Sequence, residues 1–310
     1  MSGRDLGASV RQRLLNRAHQ QDRPFQELMQ FFAMERFLFR LAQSPFAGQF
    51  VLKGALLLAA WRAPQSRPTM DIDLAGRGSN ALDHIANVIG QVCETRCEPD
   101  GIEFIAPSIK TSRIKEGAEY EGVRVHLEAT LARARIRLQI DIGFGDVIVP
   151  PPADIEYPSL LDFPAPVLLA YSKETVIAEK LEALTTLGLL NSRLKDYYDL
   201  ALLARLYPFD GERLQSSIMA TFRHRGTSIE AGPIGLTEAY STDPARAVQW
   251  RAFVRRNRFG DEQGGLAALV VEIRQFVSPL LAAVDGDRPF AAQWKPGGPW
   301  EGLHSEAKRR

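Results

Sequence analysis

Cysteines and long apolar runs are both scarce in this sequence, and each scarcity excludes a class of protein. The 310 residues include two cysteines, Cys93 and Cys97, with no further Cys or His cluster at the spacing of zinc sites. We therefore expect two semi-buried helical cysteines and no structural zinc. The longest apolar stretch, residues 55–61, is far shorter than the roughly 20 residues that span a bilayer. The N-terminus also lacks the apolar core of a signal peptide, so a cytoplasmic protein without a membrane partner is expected.

A large net charge is absent as well. The 38 lysines and arginines nearly balance the 37 aspartates and glutamates, which gives a formal net charge of +1. No global field therefore draws the protein to nucleic acid, and only local basic runs could make such a contact. Two runs qualify, residues 223–225 and residues 251–258, the second with Phe253 and Phe259 interleaved. Each run also fits a solvated helix face, so both interpretations stay open.

The hydrophobic pattern that is present changes its period along the chain. A composition of 45% hydrophobic and 24% charged residues is that of a folded soluble protein, and 310 residues exceed most single cores, which predicts two lobes. Alternation of apolar and polar residues predicts half-buried strands of one sheet at 122–131 and 136–142. The remaining pattern of the first half predicts a helical hairpin within residues 1–45, helices at 50–61 and 81–93, and a short strand at 70–74.

Prolines mark the expected boundary between the lobes. Six of them lie between residues 150 and 166, and proline lacks the amide donor that regular structure needs. We therefore assign residues 1–150 to an N-terminal domain with a helical extension and residues 151–310 to a mostly helical C-terminal domain. Within the second domain, apolar spacing predicts helices at 172–187, 194–206, 211–223, 242–256 and 266–281.

The chemistry of the first domain centres on Asp71-Ile72-Asp73. Because side chains alternate along a strand, Asp71 and Asp73 point to one face while Ile72 enters the core. Two carboxylates on one face repel unless a cation offsets them, and Mg²⁺ takes oxygen ligands while keeping positions for triphosphate oxygens. Taken alone, such a pair also occurs by chance on solvated strands.

Two further features strengthen this interpretation. Asp141 lies on the polar face of the strand at 136–142, and a sheet that places this strand beside residues 70–74 adds a third carboxylate to the site. Lys53-Gly54 precedes the Asp pair, and a glycine at the start of a helix lets backbone amides approach a phosphate. An ordinary loop glycine is the alternative.

Candidate residues also occur in the second domain. Lys180 lies about 60° from Ile177 around its predicted helix, at the margin of the buried face, where a lysine can neutralise a triphosphate or simply reach solvent. Asp196 and Asp199, three residues apart, share one helix face and could act as a base or an orienting group. Asp196 could equally be a first-turn acid that the helix dipole favours.

With these residues assembled, the sequence resembles the AbiEii/AbiGii family of nucleotidyltransferase toxins in the DNA polymerase β-like superfamily. The resemblance covers most of the chain, and Ala55 and Leu56 stand where the family often has a second glycine and a Ser or Thr. Its motifs correspond, in order, to residues 50–54 (FVLKG), 66–74 (SRPTMDIDL), 140–146 (IDIGFGD), 179–184 (EKLEAL) and 193–200 (RLKDYYDL).

The resemblance implies a fold and a set of residue roles. The fold is α+β, with an N-terminal nucleotidyltransferase lobe of mixed sheet flanked by helices and a C-terminal helical lobe. The implied catalytic residues are Asp71, Asp73, Lys180 and Asp196. The resemblance implies Asp71 and Asp73 as the Mg²⁺ ligands. The position of Asp141 on the polar face of its predicted strand adds it as a third ligand. The implied nucleoside triphosphate (NTP) contacts are Lys53, Gly54, Arg67, Lys180 and Asp199.

The resemblance also implies partners and an acceptor. Relatives such as the MenT-type toxins add nucleotides to the 3′ end of tRNA and block aminoacylation, so NTP and tRNA are the expected partners. A cognate antitoxin with a winged-helix DNA-binding domain is a further expected partner of a protein expected to be monomeric. Two alternatives remain: transfer to a protein or small molecule, and a non-catalytic binding module.

Overall fold

The computed structural model describes residues 3–64, 67–116, 120–259 and 265–302. The chain divides into two compact units. The N-terminal unit comprises Met1–Asp146 and Pro152–Tyr171, and the C-terminal unit comprises Val147–Pro151 and Ser172–Arg310. The sequence places one boundary at residue 150, whereas the structure returns residues 152–171 to the N-terminal unit.

A mixed seven-stranded sheet forms the centre of the N-terminal unit, in the order β3-β4-β5-β2-β1-β7-β6. The pairs β2–β5 and β1–β7 are parallel, and the other pairs are antiparallel. The strands are β1 Phe50–Lys53, β2 Asp71–Gly76, β3 Ile102–Glu116, β4 Tyr120–Leu131, β5 Ala134–Phe144, β6 Ala153–Glu156 and β7 Val167–Ala170. The helices of this unit are α1 Gly3–Gln20, α2 Phe25–Gln43, α3 Leu56–Ala60 and α4 Leu82–Cys93.

The alternating pattern of β4 and β5 puts one apolar row into the core. Val123, Val125, Ile140 and Ile142 have no exposed surface, while Asp141 stays half-buried on the other face. These strands pair antiparallel around a two-residue turn, with Leu131 opposite Ala134. The predicted single sheet with one apolar face is therefore present, and the hairpin register decides which polar residues meet across it.

Two local predictions in this unit are wrong. Residues 50–61 do not form one helix but strand β1, a turn at Gly54 and the short helix α3. β1 is almost wholly buried, and such a strand has a continuous apolar run without the alternation that distinguishes it from a buried helix. Cys97 lies beyond the end of α4 at Cys93, so the two half-buried, unbridged cysteines do not share a helix face.

The C-terminal unit is mainly helical. Side chains of Ser172, Asp210 and Asp243 accept hydrogen bonds from backbone amides three residues later and fix three of the helix starts. Its helices are α5 Lys173–Leu187, α6 Leu194–Leu206, α7 Gly211–His224, α8 Glu238–Ser241, α9 Pro244–Arg256 and α10 Leu266–Asp285. A small second sheet, absent from the prediction, contains β8 Phe209–Asp210, β9 Ala292–Trp294 and β10 Trp300–Gly302. The predicted α+β class is confirmed.

Among the described residues, α10 alone is long and apolar enough to cross a bilayer. Leu269, Ile273 and Phe276 on this helix have no exposed surface because they pack inside the C-terminal unit. The core helix of a soluble protein meets the same criterion of length and composition, so α10 is weak evidence for a membrane span.

Candidate active site

Three carboxylates meet at the junction of β2 and β5. The parallel register places Asp73 directly opposite Asp141, and Asp71 precedes Asp73 by two residues on the same face. One oxygen from each of these three residues lies within 4.8 Å of the others. Ile72 between the two β2 carboxylates is fully buried and fixes the phase of the strand. We call Asp71, Asp73 and Asp141 the carboxylate cluster.

Neighbouring residues hold the two β2 carboxylates in place. Thr69 donates its hydroxyl hydrogen to Asp71 Oδ1 at 2.5 Å. Gly54 has a φ of +73°, and a Cβ at this position would overlap the Asp73 carboxylate. A side chain at residue 54 would therefore displace Asp73, so the structure gives Gly54 the role of making room for this carboxylate.

Asp141 is oriented from the adjacent strand. Arg124 on β4 is paired with it in the register and donates to both carboxylate oxygens, from Nε at 2.8 Å and from Nη2 at 2.7 Å. Gln139 adds a longer hydrogen bond to Oδ2 at 3.2 Å. A two-bond guanidinium contact restrains both the position and the plane of a carboxylate. Arg124 therefore keeps Asp141 turned toward the cluster while leaving it half-buried.

Lys53 lies at the edge of the same site. Its Nζ is 2.6 Å from Asp146 Oδ2, which also accepts from the Tyr171 hydroxyl at 3.1 Å. A Cβ on Gly143 would lie 3.2 Å from the Lys53 Nζ, so a larger residue there would crowd the ammonium. The sequence assigns Lys53 to phosphate, and the structure shows this side chain held by a carboxylate.

The donor set fits a hard divalent cation. The carboxylate cluster and Asp146 carry four negative charges, and Lys53 and Arg124 carry two positive ones, so these six side chains hold a net charge of −2. Half-exposed carboxylate oxygens at this separation are the ligands that Mg²⁺ prefers, and partial exposure leaves room for water and phosphate oxygens. Asp71 and Asp73 would hold such an ion, and Asp141 would share its oxygens with Arg124.

A second ionic group lies inside the C-terminal unit. Lys180 Nζ on α5 is 2.6 Å from Asp196 Oδ1 and 2.8 Å from Asp199 Oδ2, both on α6. Both carboxylates are about 1% exposed, and the lysine side chain is 13% exposed. We call these three residues the lysine cluster. Arg193 Nε lies 2.9 Å from the buried Asp196 Oδ2, at an angle that makes no hydrogen bond.

The remaining predicted residues lie in different surroundings. Arg67 lines a cavity of the N-terminal unit together with Thr69. In the first basic run, Arg225 donates to Glu182 at 2.6 Å and is therefore paired within the protein. In the second run, Phe253 and Phe259 pack against the buried Tyr198, and the Tyr198 and Phe259 rings stack at 4.2 Å.

Sequence reasoning missed three residues that shape the site. Arg124, Thr69 and Asp146 each hold a predicted site residue, yet none was a candidate. The two-residue turn at 132–133 places Arg124 opposite Asp141, but this turn lacks the Asn-Gly signature that marks a tight hairpin in a sequence. Asp146 ends the motif at residues 140–146, but its pairing with Lys53 could not be predicted, since it lies beyond the end of β5 and approaches Lys53 only in three dimensions.

A family model described as the nucleotidyl transferase AbiEii toxin of type IV toxin–antitoxin systems matches residues 36–276 of the chain. The chain belongs to the AbiEii nucleotidyltransferase toxin family. The resemblance inferred from the motifs is thus confirmed. As a family member, the chain is a nucleotidyltransferase toxin with an NTP substrate and an antitoxin partner.

Solved structures with a similar architecture include two bacterial proteins. MenT4, a nucleotidyltransferase toxin of Mycobacterium tuberculosis, is 18% identical over 90% of this AbiEii chain and 98% of its own, with a TM-score of 0.49. JHP933 of Helicobacter pylori is 18% identical over 81% of this chain and 92% of its own, with a TM-score of 0.46. Residue roles are not transferred at this similarity. No curated protein matches the chain.

Proposed function

We propose that this AbiEii toxin is a Mg²⁺-dependent enzyme that transfers a nucleotide from an NTP to RNA, with the 3′ end of tRNA as the acceptor. The observation that carries the proposal is the carboxylate cluster, in which three acids from β2 and β5 converge within a net negative site. The tRNA acceptor is supported by the resemblance to MenT-type toxins. Such transfer would inhibit translation and growth by blocking aminoacylation.

The reaction forms a bond between the acceptor hydroxyl oxygen and the α-phosphorus, and breaks the bond from that phosphorus to the pyrophosphate oxygen. Pyrophosphate leaves, and the hydroxyl proton is released to solvent. Mg²⁺ bound by Asp71 and Asp73 would offset the charge that develops on the phosphate oxygens. Thr69 holds the Asp71 carboxylate in position through a hydrogen bond, and Gly54 leaves space for the Asp73 carboxylate. Arg124 keeps Asp141 pointed at the cluster through two charge-assisted hydrogen bonds.

The three residues of the lysine cluster have different roles in this proposal. Lys180 supplies a positive charge for the triphosphate, as the resemblance implies. Asp196 and Asp199 hold its ammonium group at 2.6 and 2.8 Å, which fits positioning better than direct proton transfer. Replacement of Lys180 by Arg keeps the charge but changes the donor geometry, so it tests triphosphate contact while keeping the cluster charged.

A polyanionic acceptor is supported by the basic end of α9, which we define as Arg251, Arg255 and Arg256. All three are exposed, and no described carboxylate lies within ion-pair distance of any of them. Arg251 and Arg255 lie on one helix face, where like charges destabilise a helix by about 0.2–0.5 kcal/mol per pair. An RNA backbone would offset this repulsion. The neighbouring aromatic rings pack internally and are not proposed to stack on bases.

The experiment that tests the proposal gives the enzyme several possible acceptors at once. Purified protein is incubated with each labelled NTP and Mg²⁺, together with total cellular RNA and total cellular protein. We expect label in the tRNA fraction, at the 3′ end, and none without Mg²⁺. Label confined to protein or to small molecules would overturn the RNA acceptor. No label in any fraction, with Mg²⁺ and all four NTPs present, would overturn the enzymatic function.

The partners and location follow from the same proposal. We infer a monomer that acts in the cytoplasm, where NTPs and tRNA occur, and an antitoxin that carries a winged-helix DNA-binding domain. The gene next to this one is expected to encode that antitoxin, and its co-expression should relieve growth inhibition. Relief by an unrelated neighbour, or toxicity unaffected by Asp73→Asn, would contradict the inference.

A further inference from the structure

A cavity of about 220 Å³ in the N-terminal unit is lined by three arginines, and the described lining residues include no carboxylate. We call it the arginine cavity, after Arg17 at the end of α1, Arg23 before α2 and Arg67 before β2. Thr69 and Tyr157 line the same cavity. A concave site lined by several arginines is chemically complementary to an anion.

The protein pairs Arg23 with a carboxylate but satisfies Arg17 only in part. Arg23 is paired with Glu27 and lies 5.0 Å from the centroid of the Phe31 ring. Arg17 donates from Nη1 to the Leu160 carbonyl oxygen, which carries no net charge. Arg17 Nε is buried and finds no hydrogen-bond partner among the described residues. A buried donor without a partner is costly, so the described residues do not fully satisfy the Arg17 guanidinium.

Residues 159–160 of the cavity wall, where Leu160 accepts the hydrogen bond from Arg17, are fixed in place. The Glu35 carboxylate accepts from the Ser159 hydroxyl at 2.8 Å and from the Leu160 amide at 2.7 Å. Glu35 is itself fully buried on α2 and next to Arg36. The cavity is therefore preformed, and binding would not require an ordering step at residues 159–160.

The cavity is also close to the reaction site. Thr69 lines it and donates to Asp71 of the carboxylate cluster, while Ala55 in its wall follows Gly54, which abuts Asp73. Its volume is below the roughly 300–1,000 Å³ of pockets for whole small molecules. The space thus suits a phosphate or diphosphate group rather than a complete nucleotide.

We propose that the arginine cavity binds a phosphate group of a substrate, beside the carboxylate cluster. This inference rests on the proposed nucleotidyl transfer, which supplies two sources of phosphate: the polyphosphate of the NTP and the backbone of the acceptor RNA. Arg17 and Arg23 precede the family match, which begins at residue 36, so these two donors come from a segment of the chain that the family model does not cover.

The test measures binding without turnover. Inorganic pyrophosphate and a short single-stranded RNA without terminal phosphates are titrated separately into the full-length protein by calorimetry. Arg17→Gln combined with Arg23→Gln should weaken at least one probe about tenfold or more, since charge-assisted hydrogen bonds are lost. The affected probe identifies the source of the phosphate. Arg133→Gln combined with Arg135→Gln removes the same number of positive charges at exposed residues outside the cavity and should leave both affinities unchanged.

A second variant guards against misfolding and long-range charge effects. Ala59→Leu adds volume inside the cavity and keeps every arginine, so it should weaken the same probe about as strongly. Unchanged binding by Ala59→Leu, or by a folded Arg17/Arg23 variant, would overturn the proposal. Wild-type protein that binds a probe through these residues but transfers no nucleotide would overturn the proposed function and retain the cavity as a phosphate site.

Discussion

The two ionic groups of the molecule differ in how their charges are balanced. The carboxylate cluster is half-exposed, and with Lys53, Asp146 and Arg124 it keeps a net charge of −2. The lysine cluster is buried, and Lys180 with Arg193 balances the two aspartates. An accessible site with excess negative charge favours a cation from solution, whereas the charges of the buried site are balanced within the protein, although Asp196 Oδ2 makes no hydrogen bond. The first is built for binding and chemistry, and the second mainly for holding α5 to α6 and for orienting Lys180.

The largest expected effect is on the stability of the lysine cluster. Lys180→Met should lower the free energy of unfolding by about 3–5 kcal/mol, because it leaves two buried carboxylates without their shared cation. Lys180→Arg, which keeps the charge, should cost less. Urea unfolding followed by circular dichroism measures both variants. Equal stability of Lys180→Met and wild type would show that the two clusters do not differ in this way.

The next effect is catalytic and concerns the carboxylate cluster. Asp73→Asn should reduce nucleotide transfer by about 10²- to 10³-fold, because loss of a metal ligand removes several kcal/mol of charge stabilisation. Its melting temperature should be unchanged or higher, since like charges no longer repel, and Mg²⁺ should no longer raise it. Asp154→Asn, at an exposed residue of β6, is the matched control. A large loss of stability in Asp73→Asn would show that the carboxylate cluster also stabilises the fold, as the lysine cluster is expected to do.

A smaller effect is expected from the residue that orients Asp141. Arg124→Gln should lower transfer by about 10- to 100-fold, the usual range for a group that holds a metal ligand. The apparent Mg²⁺ affinity should fall with it, a change that a purely structural role would not produce. Arg135→Gln removes a charge from an 80% exposed residue of β5 and should change neither quantity. Normal Mg²⁺ dependence in Arg124→Gln would exclude the orienting role.

The smallest effect is a pH dependence inside the C-terminal unit. Burial raises the pKa of Glu182, but hydrogen bonds from Thr227, Arg225 and Thr186 outweigh it and leave the pKa below 4.5. A depressed pKa stabilises the fold above the unfolded value, and this contribution is lost as the pH falls through the folded value. The stability difference between wild type and Glu182→Gln should therefore be greater at neutral pH than at acidic pH, and it should shrink below about pH 4.5. The exposed Glu230→Gln variant should show no such trend.

Much of the sheet was predictable because its period is visible in the sequence. Apolar residues alternate along β4 and β5, and the phase of Asp71 and Asp73 follows from Ile72 alone. The pairing of Asp141 with Arg124 was not predicted, since the turn at Ala132 and Arg133 lacks the Asn-Gly signature of a tight hairpin. Ala132 adopts a φ of +54° without that signature.

Other features depend on tertiary contacts that no local pattern records. β1 is too short and too buried to show alternation, and β3 changes register between Ile105 and Lys110, which interrupts its period. The burial of Asp196 arises from packing of α5 against α6, so a first-turn acid and a cluster member look alike in sequence. Residue type and spacing thus identified the candidates, while their contacts required the fold.

The return of residues 152–171 to the N-terminal unit bears on how this gene can evolve. A recombination event at residue 150 would separate β1 from its parallel neighbour β7, which is encoded downstream. The inherited N-terminal fragment would carry an unpaired strand edge beside Lys53, and such edges favour aggregation. Neither unit is one uninterrupted segment of the chain, so an exchange at residue 150 would divide both.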